Sequence, residues 1–223
     1  MSTITTVNPA TGEMLATYTP MTADQINAAL DAATVSQRHW SAESFEYRAA
    51  ILRSAAEDLR SRAKSLALLV TREMGKPITE SEAEVEKCAV GLEYYADHAQ
   101  SFLADERFDT DADHSWVSYE PAGVVLAIMP WNFPLWQVFR FAAPALMAGN
   151  AALLKHSSNT TGTAINNKFI TTIEIQSGGC VTAGDHKTGC SCHRTNRDIS
   201  HNRTRRRAKG QWEGLTGTCI STL

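Results

Sequence analysis

The chain has 223 residues, of which 43% are hydrophobic and 20% charged, and its formal net charge is −3. That length accommodates one large domain or two small ones, and the composition is ordinary for a soluble protein. No apolar run approaches the ~20 residues of a membrane span and no apolar leader follows Met1, so no membrane-spanning helix is expected and a cytoplasmic protein is the simplest reading.

Asn8-Pro9 and Thr11-Gly12 carry turn chemistry, and residues 14–18 follow as an edge strand. Thr22 with Gln25 forms a capping box. The helix behind it sets Ile26, Ala29, Leu30 and Ala33 at core spacing on the way to Trp40. A second helix, about 44–61, presents Tyr47, Ile51, Leu52, Ala55 and Leu59. A third carries Leu66, Leu69 and Val70 and stops at Gly75-Lys76-Pro77, a glycine cap followed by proline. Thr79 and Glu82 repeat the capping-box pattern, and Glu80, Glu82 and Glu84 suit the positive end of the helix dipole as a solvated face. Their long helix turns Val85, Cys88, Ala89, Leu92, Tyr95, Ala96, Ala99 and Phe102 inward, with Cys88 as a small core residue. Residues 116–120 read as a strand.

The organising stretch is 121–158. Residues 124–129 form a short apolar run of the kind a parallel strand buried on both faces shows. Pro130-Trp131-Asn132-Phe133-Pro134 breaks it, because a proline at each end of the loop forbids continued helix or ladder pairing. Residues 135–147 have helical apolar spacing, with Val138, Phe141, Ala142 and Ala145 on one side, Pro144 inside and Gly149 placed as a left-handed cap. Residues 151–155 form the second strand. A strand-helix-strand unit of this length is a parallel crossover, so the fold class is α/β.

The last segment differs in kind. Residues 1–160 carry 12 Lys+Arg against 20 Asp+Glu, a balance of −8, and residues 161–223 carry 9 against 4, a balance of +5. Cys180, Cys190, Cys192 and Cys219 also lie there, and Leu, Ile, Val and Phe fall below the ~20% that foldable composition requires. The reading is a non-homologous, disordered tail over 163–223 behind a first domain over 1–162. Its pattern suits translation in a shifted reading frame after about residues 162–164. Cys190-Ser191-Cys192-His193 lacks a second spaced pair for zinc, so no metal site is expected. Arg203-Thr204-Arg205-Arg206-Arg207-Ala208-Lys209 lacks aromatic interleaving.

The PWNFP loop, the following strand ending in Lys155 and the opening Asn8-Pro9-Ala10-Thr11-Gly12-Glu13 turn together resemble the aldehyde dehydrogenase superfamily. From Val7 to about Gly162 the subgroup most resembled is the bacterial NAD(P)-dependent succinate-semialdehyde dehydrogenases. The resemblance implies N-terminal helices followed by the first β-α-β unit of a Rossmann-like cofactor domain, with that domain incomplete. It also implies that the stretch before Pro121 belongs to a hairpin used in oligomerisation.

Aldehyde oxidation to an acid needs a thiolate nucleophile, donors for the oxyanion, a hydride acceptor and a base that activates water. The resemblance makes Asn132 the oxyanion donor, Pro130 and Trp131 the lining of the nicotinamide ribose, and Lys155 the ligand of the adenosine ribose. Read alone, Asn132 could bond the loop backbone, Trp131 could pack in the core and Lys155 could face solvent. Ser158 stands where NAD-preferring members tend to carry a glutamate, so a 2′-phosphate meets no repulsion, which favours NADP or dual use. The glycine-bearing pyrophosphate loop, the general-base glutamate and the nucleophilic cysteine of the family have no counterpart. Cys180 is rejected as nucleophile because it lies 48 residues after Asn132 (180 − 132), where the family needs well over a hundred.

The expected function is therefore that of a fragment of an enzyme oxidising succinic semialdehyde, inactive by itself. One alternative is an interaction protein docking on an intact homologous subunit; a basic-tailed nucleic-acid binder ranks last. The helices before residue 115 are expected to form but pack loosely.

Overall fold

A computed structural model describes residues 3–166. The disorder reading of the tail, Cys180, the Cys190–His193 cluster and the basic run at 203–209 all lie outside the described residues.

The chain opens with an antiparallel hairpin of β1 (Ile4–Val7) and β2 (Met14–Tyr18), in which Ile4 pairs with Tyr18 and Thr6 with Ala16. The predicted edge strand is thus the second of a pair, with the Asn8 to Glu13 turn between the two; the Asn8 side chain accepts the Ala10 amide at 2.9 Å. α1 (Ala23–Ala42) starts in the predicted box: the Thr22 hydroxyl accepts the Gln25 amide and the Gln25 side chain accepts the Thr22 amide. Its expected inner face is wrong, since Ile26 and Leu30 are exposed and only Trp40 is buried. α1 leans on the later strand pair through its C-terminal half, where Trp40 Nε1 donates to Leu146 O and Gln37 Nε2 to Gly149 O. Among the described residues the first turns have no apolar surface to cover.

The core is made by four helices. α2 (Phe45–Ser61), α3 (Ala63–Met74) and α4 (Ile78–Phe102) pack around α4, and α5 (Trp136–Met147) closes the group. Leu52, Leu59, Leu66, Val70, Val85, Cys88, Leu92 and Phe139 are all 2% exposed or less. The expectation of loose packing fails for these helices, because α5 supplies the apolar partner that no sheet provides. Tyr47 and Phe102, expected inside, are exposed. α3 ends at Gly75 in the left-handed region, as predicted. α4 does not begin with the Thr79 box: Pro77 caps it without a side-chain bond, a role that proline's fixed φ suits.

Beyond α4 lies a small hairpin of β3 (Glu106–Phe108) and β4 (Ser115–Val117), shorter than the 116–120 strand expected. β5 (Val124–Ile128) and β6 (Ala151–Lys155) then pair in parallel, Val124 with Ala151 through Ile128 with Lys155, with α5 between them in sequence. This is the anticipated β-α-β unit. Gly149, at φ 85°, turns the chain from α5 into β6 beside Ser41, where a Cβ would sit 3.3 Å from the Ser41 Cα. β5 is buried on one face and not on both: Ala127 is buried while Leu126 and Ile128 are each 62% exposed. Alternate residues of a strand point to opposite faces, and here only one face is covered.

After β6 a short 3₁₀ turn (Ser158–Thr160) leads into α6 (Thr161–Asn166). Thr160, Thr161 and Thr163 are buried, so packing continues just past Gly162, and Ile165 and Asn166 are exposed. Among the described residues no helix is long and apolar enough to cross a membrane.

Candidate active site

The carboxyl ends of β5 and β6 bring four of the five predicted residues to one edge. Ile128 is the register partner of Lys155, and the Met129 amide donates to Lys155 O at 3.0 Å, extending the ladder by one bond. Pro130, Trp131 and Asn132 therefore leave the sheet beside the residue that ends the neighbouring strand. Open α/β sheets bind ligands in the crevice outside the carboxyl ends of their strands. Ser158 follows three residues after Lys155, at the start of the 3₁₀ turn.

All five are exposed, with Trp131 at 51%. Core packing of Trp131 is thereby excluded. Among the described residues the Asn132 carboxamide makes no hydrogen bond, so it does not serve the loop backbone, and Lys155 has no ion-pair partner. The amide and the ammonium both stand free at the mouth of the strand pair.

Whether these residues suit a dinucleotide can be judged from the donors present. Residues 151–163 contain no carboxylate; Lys155 and His156 are their only ionisable groups. Among the described residues the one carboxylate that bonds to this segment is Glu73, and its oxygens are consumed by the Gly162 amide (2.8 Å) and by the Thr163 amide and hydroxyl (2.7 and 2.8 Å). An exposed lysine at a strand end, with no uncommitted acid from the segment behind it, fits a phosphorylated ribose.

The loop's far side is built differently. Pro134 and Leu135 are buried, and the amides of Leu135 and Trp136 both donate to Glu84 Oε1 at 2.9 Å. Glu84 Oε2 accepts from Lys76 Nζ, and the two side chains are 1% and 6% exposed. The same ammonium lies 3.9 Å from the centroid of the Phe133 ring. The Trp136 ring meets Lys87 Nζ at 4.3 Å and lies over Gly91. Reading Glu84 as part of a solvated face is thus overturned, whereas Glu80 and Glu82 are exposed as expected.

The signal for Glu84 was in the sequence. It falls four residues before Cys88 and eight before Leu92, on the apolar stripe itself. Glu73 does the same after Leu66 and Val70. A carboxylate on a core stripe marks a buried acceptor, not a solvated charge. Cys88, the only cysteine among the described residues, is fully buried; burial, then the Glu84 charge, pushes its thiol well above the usual cysteine range. It is no nucleophile.

Residues 1–174 match the aldehyde dehydrogenase family model. A Synechocystis protein described as a probable succinate-semialdehyde dehydrogenase [NADP(+)] is 50% identical over 162 residues, 73% of this chain and 36% of that one. The succinate-semialdehyde dehydrogenase [NADP(+)] 1 of Mycobacterium tuberculosis is 47% identical over 165 residues, with the same shares. The succinic semialdehyde dehydrogenase of Streptococcus pyogenes, solved in complex with NADP+, superposes with a TM-score of 0.72 at 34% identity, covering 79% of this chain and 38% of that one. The chain thus spans about a third of the length of the curated relatives it matches, 36% of each. With the family model matched over most of its residues and the β-α-β unit in place, this chain belongs to the aldehyde dehydrogenase family.

Proposed function

We propose that this chain carries the oxyanion-donor and ribose-binding part of an NADP-preferring succinate-semialdehyde dehydrogenase, and that the 223 residues do not complete the reaction by themselves. The observation that carries the reading is the exposed Asn132 amide, without a hydrogen-bond partner among the described residues, on the loop that leaves the strand paired with the one Lys155 ends.

The roles follow from those positions. When a thiolate attacks an aldehyde, negative charge gathers on the carbonyl oxygen, and the Asn132 Nδ2–H donates to it. Lys155 donates to the ribose hydroxyls, Pro130 and Trp131 wall the nicotinamide ribose, and Ser158 leaves a 2′-phosphate unopposed. NADP, when bound, supplies the hydride acceptor. Domain 1–162 is the partial cofactor-binding domain in this reading. Among the described residues neither a reactive cysteine nor a free carboxylate beside Asn132 offers the nucleophile or the base.

The test is a cofactor-reduction assay with succinic semialdehyde at high protein concentration, run beside calorimetric titration with NADP and NAD. The reading expects no turnover and a weak binding isotherm that Lys155→Ala abolishes, with NADP at least as tight as NAD. Cofactor reduction by the 223-residue chain, lost in Asn132→Ala, would show that the chain holds its own nucleophile and base.

A further inference from the structure

The loop that carries Asn132 is not held by its own side chains. Residues 130–133 are exposed, and the Asn132 carboxamide has no partner among the described residues. The backbone on either side therefore decides where the amide points. On one side the Met129 amide is tied to Lys155 O. On the other, α5 starts at Leu135, which supplies no side-chain cap, and the first amides of a helix have no intrahelical partner. Glu84 takes two of them from another helix, 51 residues back in the chain. The helix dipole favours a carboxylate there, but a buried carboxylate is costly unless it is paired and fully bonded. Lys76 supplies that pairing, and its ammonium also faces the ring of Phe133, the residue next to Asn132. One cation touches both the carboxylate that fixes the loop's stem and the last ring before its tip.

We propose that Lys76 and Glu84 are positioning residues that set the orientation of the Asn132 carboxamide; the functional meaning of this rests on Asn132 as oxyanion donor, while the positioning itself rests on the contacts alone. An oxyanion donor is effective only if preorganised, to within ~0.5 Å of its productive place. Asn132 makes no bond that could achieve this. The pair behind the loop does so without touching the reacting atoms.

The test uses the full 223-residue chain labelled with ¹⁵N-asparagine. The Asn132 side-chain NH₂ pair is the one absent from Asn132→Ala. Lys76→Met and Glu84→Gln are each expected to shift or broaden that pair. They also speed exchange of the Leu135 and Trp136 amides by about tenfold or more, because the oxygen that accepts them loses its charge or its paired cation. The Gly162 and Thr163 amides, held by Glu73 elsewhere, keep their protection, and Lys76→Arg restores the Asn132 signal. A purely structural pair would change overall stability and leave that signal in place, so an unshifted Asn132 pair in both single variants overturns the proposal. A variant that also loses protection at Gly162 and Thr163 has unfolded, and the double variant K76M/E84Q then decides. Its carboxamide oxygen at position 84 still accepts the two amides, but the cation facing the Phe133 ring is gone, so the Asn132 pair moves; an unmoved pair refutes the role of Lys76. The oxyanion role is judged separately by turnover. Asn132→Ala without loss in a complete enzyme removes that role and leaves the positioning result standing.

Discussion

At the stem of the loop between β5 and α5, Pro134 and Leu135 are buried and two successive amides end on one carboxylate oxygen. Two residues toward the tip, Asn132 has no hydrogen-bond partner among the described residues and Trp131 is half exposed. The same division recurs at the other strand end, where Glu73 holds Gly162 and Thr163 while Lys155 stands free. Backbone at both strand ends is fixed from behind by buried carboxylates, while Asn132 and Lys155 at the mouth make no side-chain bond among the described residues. A residue that stabilises nothing and is held in place by others has the profile of a binding or reacting group.

The largest effect belongs to the stem. Breaking a buried ion pair by removing one partner leaves an uncompensated charge and costs ~3–5 kcal/mol, so Glu84→Leu or Lys76→Met will lower the urea midpoint most. A midpoint within error of the wild type would show that the Lys76–Glu84 pair is solvated. Gly162→Ala comes next. Its Cβ would stand 2.6 Å from Glu73 Oε1 and 2.7 Å from Tyr18 Oη. Displacing that bonded carboxylate leaves buried donors unsatisfied, at ~1–3 kcal/mol, read by the same denaturation curves. Thr22→Ala removes one side of the α1 box and costs about 1 kcal/mol, a control for an ordinary exposed cap.

An exposed ion cluster sharpens the contrast with the buried pair. Arg60 bonds both Glu86, at 2.9 Å, and Glu93. The Arg60 hydrogen bond holds the Glu93 carboxyl below the usual glutamate range. A carboxyl whose folded pKa is depressed contributes stability above its unfolded pKa and loses it as the pH falls through the folded value. Arg60→Ala should therefore flatten the acid limb of the stability profile by less than ~1 kcal/mol, because exposed pairs are screened. Smallest of all, Asn132→Ala and Lys155→Ala should change stability by no more than ~0.5 kcal/mol. A large loss in either would put that residue on the structural side of the division.

Much of this architecture was legible in the residues. The Thr22–Gln25 box, the glycine stops at Gly75 and Gly149, the PWNFP break and the parallel unit around it all follow from local rules, since each needs only neighbours in sequence. What was not legible depends on partners far along the chain. Ile26 and Leu30 have helical spacing, but spacing does not say whether anything lies opposite, and both are exposed. Thr79 and Glu82 match the box pattern, yet Pro77 already starts the helix. Glu84 was placed in solvent because an acidic run at a helix start is commonly solvated. Its amide partners lie 51 and 52 residues later. Of the site, Asn132 and Lys155 were read from their motif, and the residues that hold the loop were missed because their bonds cross between helices.

The proposed service of Asn132 to the reacting carbonyl is tested most directly in a complete enzyme. Residues 3–166 grafted in place of the matching stretch of the Mycobacterium tuberculosis relative supply one, and kcat for succinic semialdehyde is measured with Asn132 and with Asn132→Ala. The expected result is a loss of ~10²–10³ in kcat with little change in melting temperature, the magnitude of one missing oxyanion donor. An Asn132→Ala graft that turns over as fast as its parent would contradict it.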